Sequence, residues 1–208
     1  MRPDTTLPAA PLGVFAAELL AHGAGLIGWT WACRNPERTR GVVEDRTGTQ
    51  FSRNPDGSTS FMVDPRLTDG ALTILEKLSP AAVPKQPNGA DHIDHLVLMV
   101  GDADTVSQRI GNAFGFKPVS RNLKKSRYSF CKVGQTVLEI VGPPEPDKLN
   151  THGRVWGITF GTPDIDRTVA DIRSRGVAMP DPHDAIQGGR IVSVPTPVGG
   201  VQIAFMSE

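Results

Sequence analysis

The sequence predicts an α+β fold assembled from repeated βαβββ modules, whose strands form curved mixed sheets. Three observations predict it. Residues 91–143 read as one strand, one helix and three more strands in that order. The stretch GLIGWTWACRNPERT echoes VWGITFGTPDIDRT: Gly28 matches Gly157, Trp31 matches Phe160, and Arg38-Thr39 matches Arg167-Thr168 at the same offset. TILEKLSP (Thr73–Pro80) can be laid on TVLEIVGP (Thr136–Pro143), which gives a repeat of roughly 60 to 70 residues, the length of one module.

The N-terminal 1–23 comprise a tail rich in Pro, Thr and Ala and a short helix over Val14–Ala21, stopped by Gly23 and Gly25. Residues 24–80 form a degenerate βαβββ module. Its closing segment reads either as a strand carrying Glu76 or, on propensity, as a helix. Residues 81–90, Pro-rich and polar, are the linker.

The second module, 91–143, is the most legible. Ile93–Val100 is short, apolar and rich in β-formers, as suits a buried strand. Asp102 or Asp104 caps the following helix, Val106, Ile110 and Ala113 or Phe114 form its inward face, and Gly115 ends it. Turn-prone Asn, Lys and Gly then separate strands at Phe116–Ser120, Arg127–Val133 and Thr136–Val141. The third module, 154–208, has a strand at Arg154–Gly161, a helix at Asp164–Arg175 and strands at Ile191–Val194 and Val201–Met206. Between its helix and those strands lies PDPHDAIQGGR, a loop long enough to fold over a pocket mouth.

Composition narrows the function. Lys plus Arg and Asp plus Glu both number 22, so no broad field attracts nucleic acid or anionic membrane, and the expected partner is a small molecule. The two cysteines, Cys33 and Cys131, fall in predicted strands and read as buried thiols. No signal peptide is evident, and Leu12–Trp31 is broken by Glu18, His22 and glycines, which makes a poor membrane span. A cytoplasmic location is expected.

The IDHLVLMV opening of the second module with its His95, the FGF after its helix and the closing TVLEIV with its Glu139 resemble the vicinal oxygen chelate superfamily. That superfamily comprises glyoxalases, bleomycin-resistance proteins, methylmalonyl-CoA epimerases and extradiol dioxygenases. The resemblance covers residues 91–208 and implies a glyoxalase-like fold. It also implies that His95 and Glu139 point into a cupped sheet and bind a divalent metal (Fe, Mn, Co, Ni or Zn), with Glu139 able to leave the metal and shuttle a proton.

The sequence departs from the family pattern in the third module, where Gly157 and Ala204 stand at the two ligand positions. If modules two and three face each other, only His95 and Glu139 remain as ligands. If modules one and two do, Glu76 joins them. Trp156 lines a pocket beside Gly157 or packs in the core, and the space at Gly157 suits an apolar or aromatic substrate. Arg190, the only cation of its loop, meets a substrate carboxylate or faces solvent. The expected function is a metal-dependent lyase, isomerase or dioxygenase acting on a small oxygen-rich or aromatic metabolite. A metal-free protein that binds or sequesters such a molecule is the alternative. The odd number of modules leaves one face open, which predicts a homodimer.

Overall fold

A computed structural model describes residues 23–53, 59–79, 86–123, 125–150, 152–186 and 188–208. The tail and helix expected within 1–22 and residues 81–85 of the 81–90 linker lie outside the described residues. The described residues open with β1 (Gly28–Cys33), α1 (Pro36–Thr47), β2 (Ser52–Arg53), β3 (Phe61–Met62), a 3-10 turn at Pro65–Leu67 and β4 (Leu72–Lys77). Residues 72–77 are therefore strand, not helix. Then come β5 (His92–Met99), α2 (Ala103–Phe114), β6 (Val119–Leu123), β7 (Ser126–Val133) and β8 (Thr136–Gly142). Last are β9 (Arg154–Gly161), α3 (Ile165–Ser174), β10 (His183–Asp184), β11 (Arg190–Ser193) and β12 (Gln202–Ser207).

Local chemistry accounts for the helices. Asn35, Asp102 and Asp164 each accept a hydrogen bond from a backbone N–H three residues on, supplying the N-caps of α1, α2 and α3. Gly115 closes α2 in the left-handed conformation, at φ 79°. The strand expected at Phe116–Ser120 begins later, at Val119. Pro118 supplies no backbone N–H for a ladder there.

Among the described residues the strands form two sheets. The smaller runs β1-β4-β3-β2 and the larger β10-β11-β12-β9-β5-β8-β7-β6. In each group of four the first strand lies parallel to the last, as in β1 with β4, β5 with β8 and β9 with β12. The larger sheet is continuous because β5 and β9 pair antiparallel. Its two ends approach each other: Arg121 of β6 donates to the carbonyl of Ile186, after β10, at 3.0 Å. The eight strands thus curl into a cup.

Period-2 alternation assigns the faces of that cup. Leu96 and Leu98 of β5 and Leu138 and Ile140 of β8 point outward, into a core with Val106 and Ile110 of α2. Phe205 of β12 packs outward on Ile165 and Val169 of α3. The smaller sheet covers the far side of α2. There Trp31 meets Phe114 edge-on at 4.5 Å between centroids, and Ala113 joins a cluster with Val43, Phe61 and Leu75. The concave face is left for function.

Candidate active site in the cup

The residues alternate to the helix-covered ones line the hollow of the cup. One part, about 340 Å³, is bounded by Val97, Met99, Tyr128, Val141, Trp156 and Gln202, with Glu139 and Thr159 at its inner end. An adjoining part, about 190 Å³, shares Glu139 and Thr159 and adds His95, Phe130 and His183. His95 and Glu139 are therefore brought together. They come from neighbouring parallel strands, with His95 opposite Val137 and Glu139 opposite Val97.

His95 is buried, at 4% exposure. Its Nδ1 is engaged by the carboxylate of Asp94. With that nitrogen held, Nε2 is the ring's other polar atom. Successive strand residues ordinarily face opposite ways; here the register of β5 against β9 shifts between Ile93 and His95, and the irregularity lets Asp94 turn to its neighbour. The hydrogen bond to His95 is the main cause holding the Asp94 carboxyl below its usual range. Glu139 moves the other way. Burial pushes its carboxyl above the ordinary value, and the positive field of His95 only partly opposes this.

The remaining sequence candidates are placed differently. Glu76 is exposed on β4, in the smaller sheet, whereas the larger sheet pairs modules two and three. It stands opposite Ala32, four residues past Gly28, while Glu139 stands opposite Val97, two residues past His95. The expected equivalence of Glu76 and Glu139 is thus displaced by one pleat, and Glu76 does not join the pair. Arg190 is not at the hollow; it forms a two-pronged ion pair with Asp166 of α3, at 2.6 Å and 3.1 Å. Trp156 does line the hollow, at 39% exposure. Gly157 and Ala204 line the opposite wall. A Cβ at Gly157 would approach the Gln202 carbonyl oxygen to 2.9 Å, so close strand contact, not only open space, accounts for that glycine.

Two residues of this site carry no clear signal in the sequence. Asp94, at the polar start of β5, is marked only by its adjacency to His95. His183 lies in the PDPHDAIQGGR loop, and β10 carries it to the rim of the part that holds His95 and Glu139. The arginines of β6 and β7 are engaged away from Glu139, Arg127 with Asp104 at 2.8 Å and Arg121 with Ile186.

Imidazole and carboxylate are suitable donors for a borderline divalent ion. Among the described residues, however, no group of three His, Cys, Asp or Glu side chains could hold one. The pair fits a metal in donor type and falls one short of the three protein ligands usual in catalytic zinc sites.

The larger sheet is thus a cup built from two paired βαβββ modules, with a His and a Glu on adjacent strands of its concave face. The model of the Glyoxalase/Bleomycin resistance protein/Dioxygenase superfamily matches residues 92–205, and the chain belongs to that superfamily. A methylmalonyl-CoA epimerase from Mycobacterium tuberculosis is similar in structure, with 18% identity and a TM-score of 0.50 over 59% of this chain and 91% of that one. A Streptomyces coelicolor methylmalonyl-CoA epimerase in complex with 2-nitronate-propionyl-CoA gives 24% identity and a TM-score of 0.49, covering 57% of this chain and 98% of that one. These likenesses concern the fold. Comparison with curated proteins gave no match.

Proposed function

We propose that this chain is a glyoxalase-like enzyme of the lyase or isomerase type that moves a proton on a small oxygen-rich or aromatic metabolite held in the cup. The observation that carries the reading is Glu139, a half-buried carboxyl on the concave face whose proton affinity burial raises above the ordinary value, as suits acid–base exchange. Glu139 takes the proton from a carbon beside a carbonyl and returns it. His95, positioned by Asp94, faces the oxygen on which charge develops, while the apolar walls exclude water.

The test is deuterium incorporation, followed by NMR, into a panel comprising a hemithioacetal of a 1,2-dicarbonyl, methylmalonyl-CoA and an aromatic hydroxyketone. Exchange into at least one compound should fall on the order of 10²-fold or more in Glu139→Gln. Exchange that survives the substitution would overturn the assignment of Glu139, and saturable binding without exchange would favour the sequestering alternative.

A metal-dependent form, dioxygenase chemistry included, is the second reading, favoured by the donor types of the pair. His95 and Glu139 would hold the ion, which when bound supplies Lewis-acid stabilisation of a developing oxyanion. Plasma mass spectrometry of protein purified without chelator decides it: near one equivalent of transition metal, lost in folded His95→Ala and Glu139→Ala variants, supports this form.

The same reading includes a homodimer. Among the described residues strand β1 is an edge that pairs with β4 alone, whereas the corresponding first strands β5 and β9 pair with each other. A second copy would meet this edge. Light scattering that returns only monomer at micromolar concentration would remove it. Two free thiols suit the reducing cytoplasm, and no helix among the described residues is long and apolar enough to cross a membrane.

A further inference from the structure

The chemistry of the hollow is divided end to end. Its inner end gathers the hydrogen-bonding and titrating groups, namely His95, Glu139, Thr159 and, at the rim, His183. The outer end is walled by Met99, Val141, Tyr128, Ile158 and Trp156. Met99 and Trp156 remain 41% and 39% exposed, so an apolar surface stands open where a ligand would enter. At about 340 Å³, this end lies near the lower bound for small-molecule sites, room for one or two fused rings.

Charge sharpens the picture. Among the described residues no Lys or Arg lines either part of the hollow. Three arginines of the surrounding strands are turned to other partners: Arg190 to Asp166, Arg127 to Asp104 and Arg121 to the Ile186 carbonyl. An anionic ligand would have to lose its hydration beside Glu139 and Asp184 with no Lys or Arg among the lining residues to compensate, an unfavourable exchange.

Resting on the function proposed above, we infer that the substrate is an uncharged, flat, largely apolar molecule. It carries its oxygen function at one end, directed to His95 and Glu139, and its ring body lies against Trp156, Tyr128 and Met99. Phosphorylated, carboxylated and coenzyme A-linked molecules are disfavoured. Binding energy comes from apolar contact at the outer end, and the polar end sets orientation.

Isothermal titration calorimetry with 2-naphthol, 2-naphthoate and coenzyme A tests this without requiring turnover. The full-length protein should bind 2-naphthol at one site and bind 2-naphthoate and coenzyme A at least about tenfold more weakly. Trp156→Ala, at a partly exposed position, should weaken 2-naphthol roughly fivefold or more while far-UV circular dichroism shows the fold retained. Ser193→Lys, which adds a cation to an exposed lining position, should narrow or reverse the preference against 2-naphthoate. Preference of the wild type for either anion, or no saturable binding of 2-naphthol, overturns the inference. Binding of 2-naphthol is read without turnover. Failure of the proton-transfer reading therefore leaves this result standing, and failure of this result leaves the deuterium assay standing.

Discussion

Replacing Trp31 by Ala should destabilise the whole described fold, not the smaller sheet alone. Trp31 projects from β1 and packs against both the cluster around α2 and the core of the smaller sheet. Its ring meets Phe114 at 4.5 Å, Trp29 at 5.6 Å and Phe116 at 5.8 Å between centroids, all near edge-on. Truncating a fully buried Trp costs about 3–5 kcal/mol. The partial exposure of Trp31 reduces the transfer part, and three ring contacts at roughly 0.5–1.5 kcal/mol each restore some of it, so the expected loss is about 3 kcal/mol. For a chain of this size that corresponds to a fall in Tm of roughly 6–12 °C. Calorimetry and far-UV circular dichroism should show one transition moving as a unit, because α2 is core to both sheets. A fall below about 2 °C, or a melt that splits into one shifted and one unshifted transition, would refute the reasoning. The smaller sheet would then be an independent domain resting on α2.

Glu139→Gln should stabilise the protein at neutral pH. The folded-state pKa of Glu139 is raised, so the stability of its neutral form is present below the unfolded carboxylate value and is lost as pH rises through the folded one. Urea denaturation of wild type and variant should therefore nearly coincide in acid and diverge above that pH, and a variant less stable at pH 7.5 would count against the buried carboxyl. Asp94 has the opposite sign: its lowered pKa contributes stability above the unfolded value that is lost as pH falls through the folded one. Asp94→Asn should show less of this acid loss and should reduce exchange activity on the order of 10²-fold by releasing the His95 ring; unchanged activity would remove Asp94 from the site. Gly157→Ala should cost about 1–3 kcal/mol, since its Cβ would come within 2.9 Å of the Gln202 carbonyl oxygen, and a variant of unchanged Tm would show that β9 and β12 part easily.

Much of this protein was determined locally and could be read from its residues. The second module was legible because its signals are short-range: an Asp cap at Asp102, an apolar face repeating along α2, a left-handed Gly115, and strands whose alternation separates Leu138 and Ile140 from Glu139. That alternation agrees with the shared face of His95 and Glu139, which the resemblance to the superfamily implied. The echo between Gly28 and Gly157 had a physical basis as well. At both positions a Cβ would collide with the parallel strand beside it, at 1.9 Å from the Leu72 oxygen and 2.9 Å from the Gln202 oxygen.

Only the tertiary structure decided what those local pieces meet. Each module begins with an edge strand carrying free backbone donors and acceptors, and nothing in the alternation of β5 says whether β1 or β9 will satisfy them; their antiparallel pairing leaves Glu76 on the other sheet. Register is likewise non-local. A slip of one pleat keeps each side chain on its face while moving Glu76 opposite Ala32. The reach of Asp94 to His95 depends on an irregularity created between two strands. The ion pair of Arg190 depends on α3 lying beside β11, and the arrival of His183 at the rim on the curl of the whole sheet. Side-chain direction has a period of two and is written in the chain, whereas the choice of partner strand is made by long-range pairing among edges that look alike.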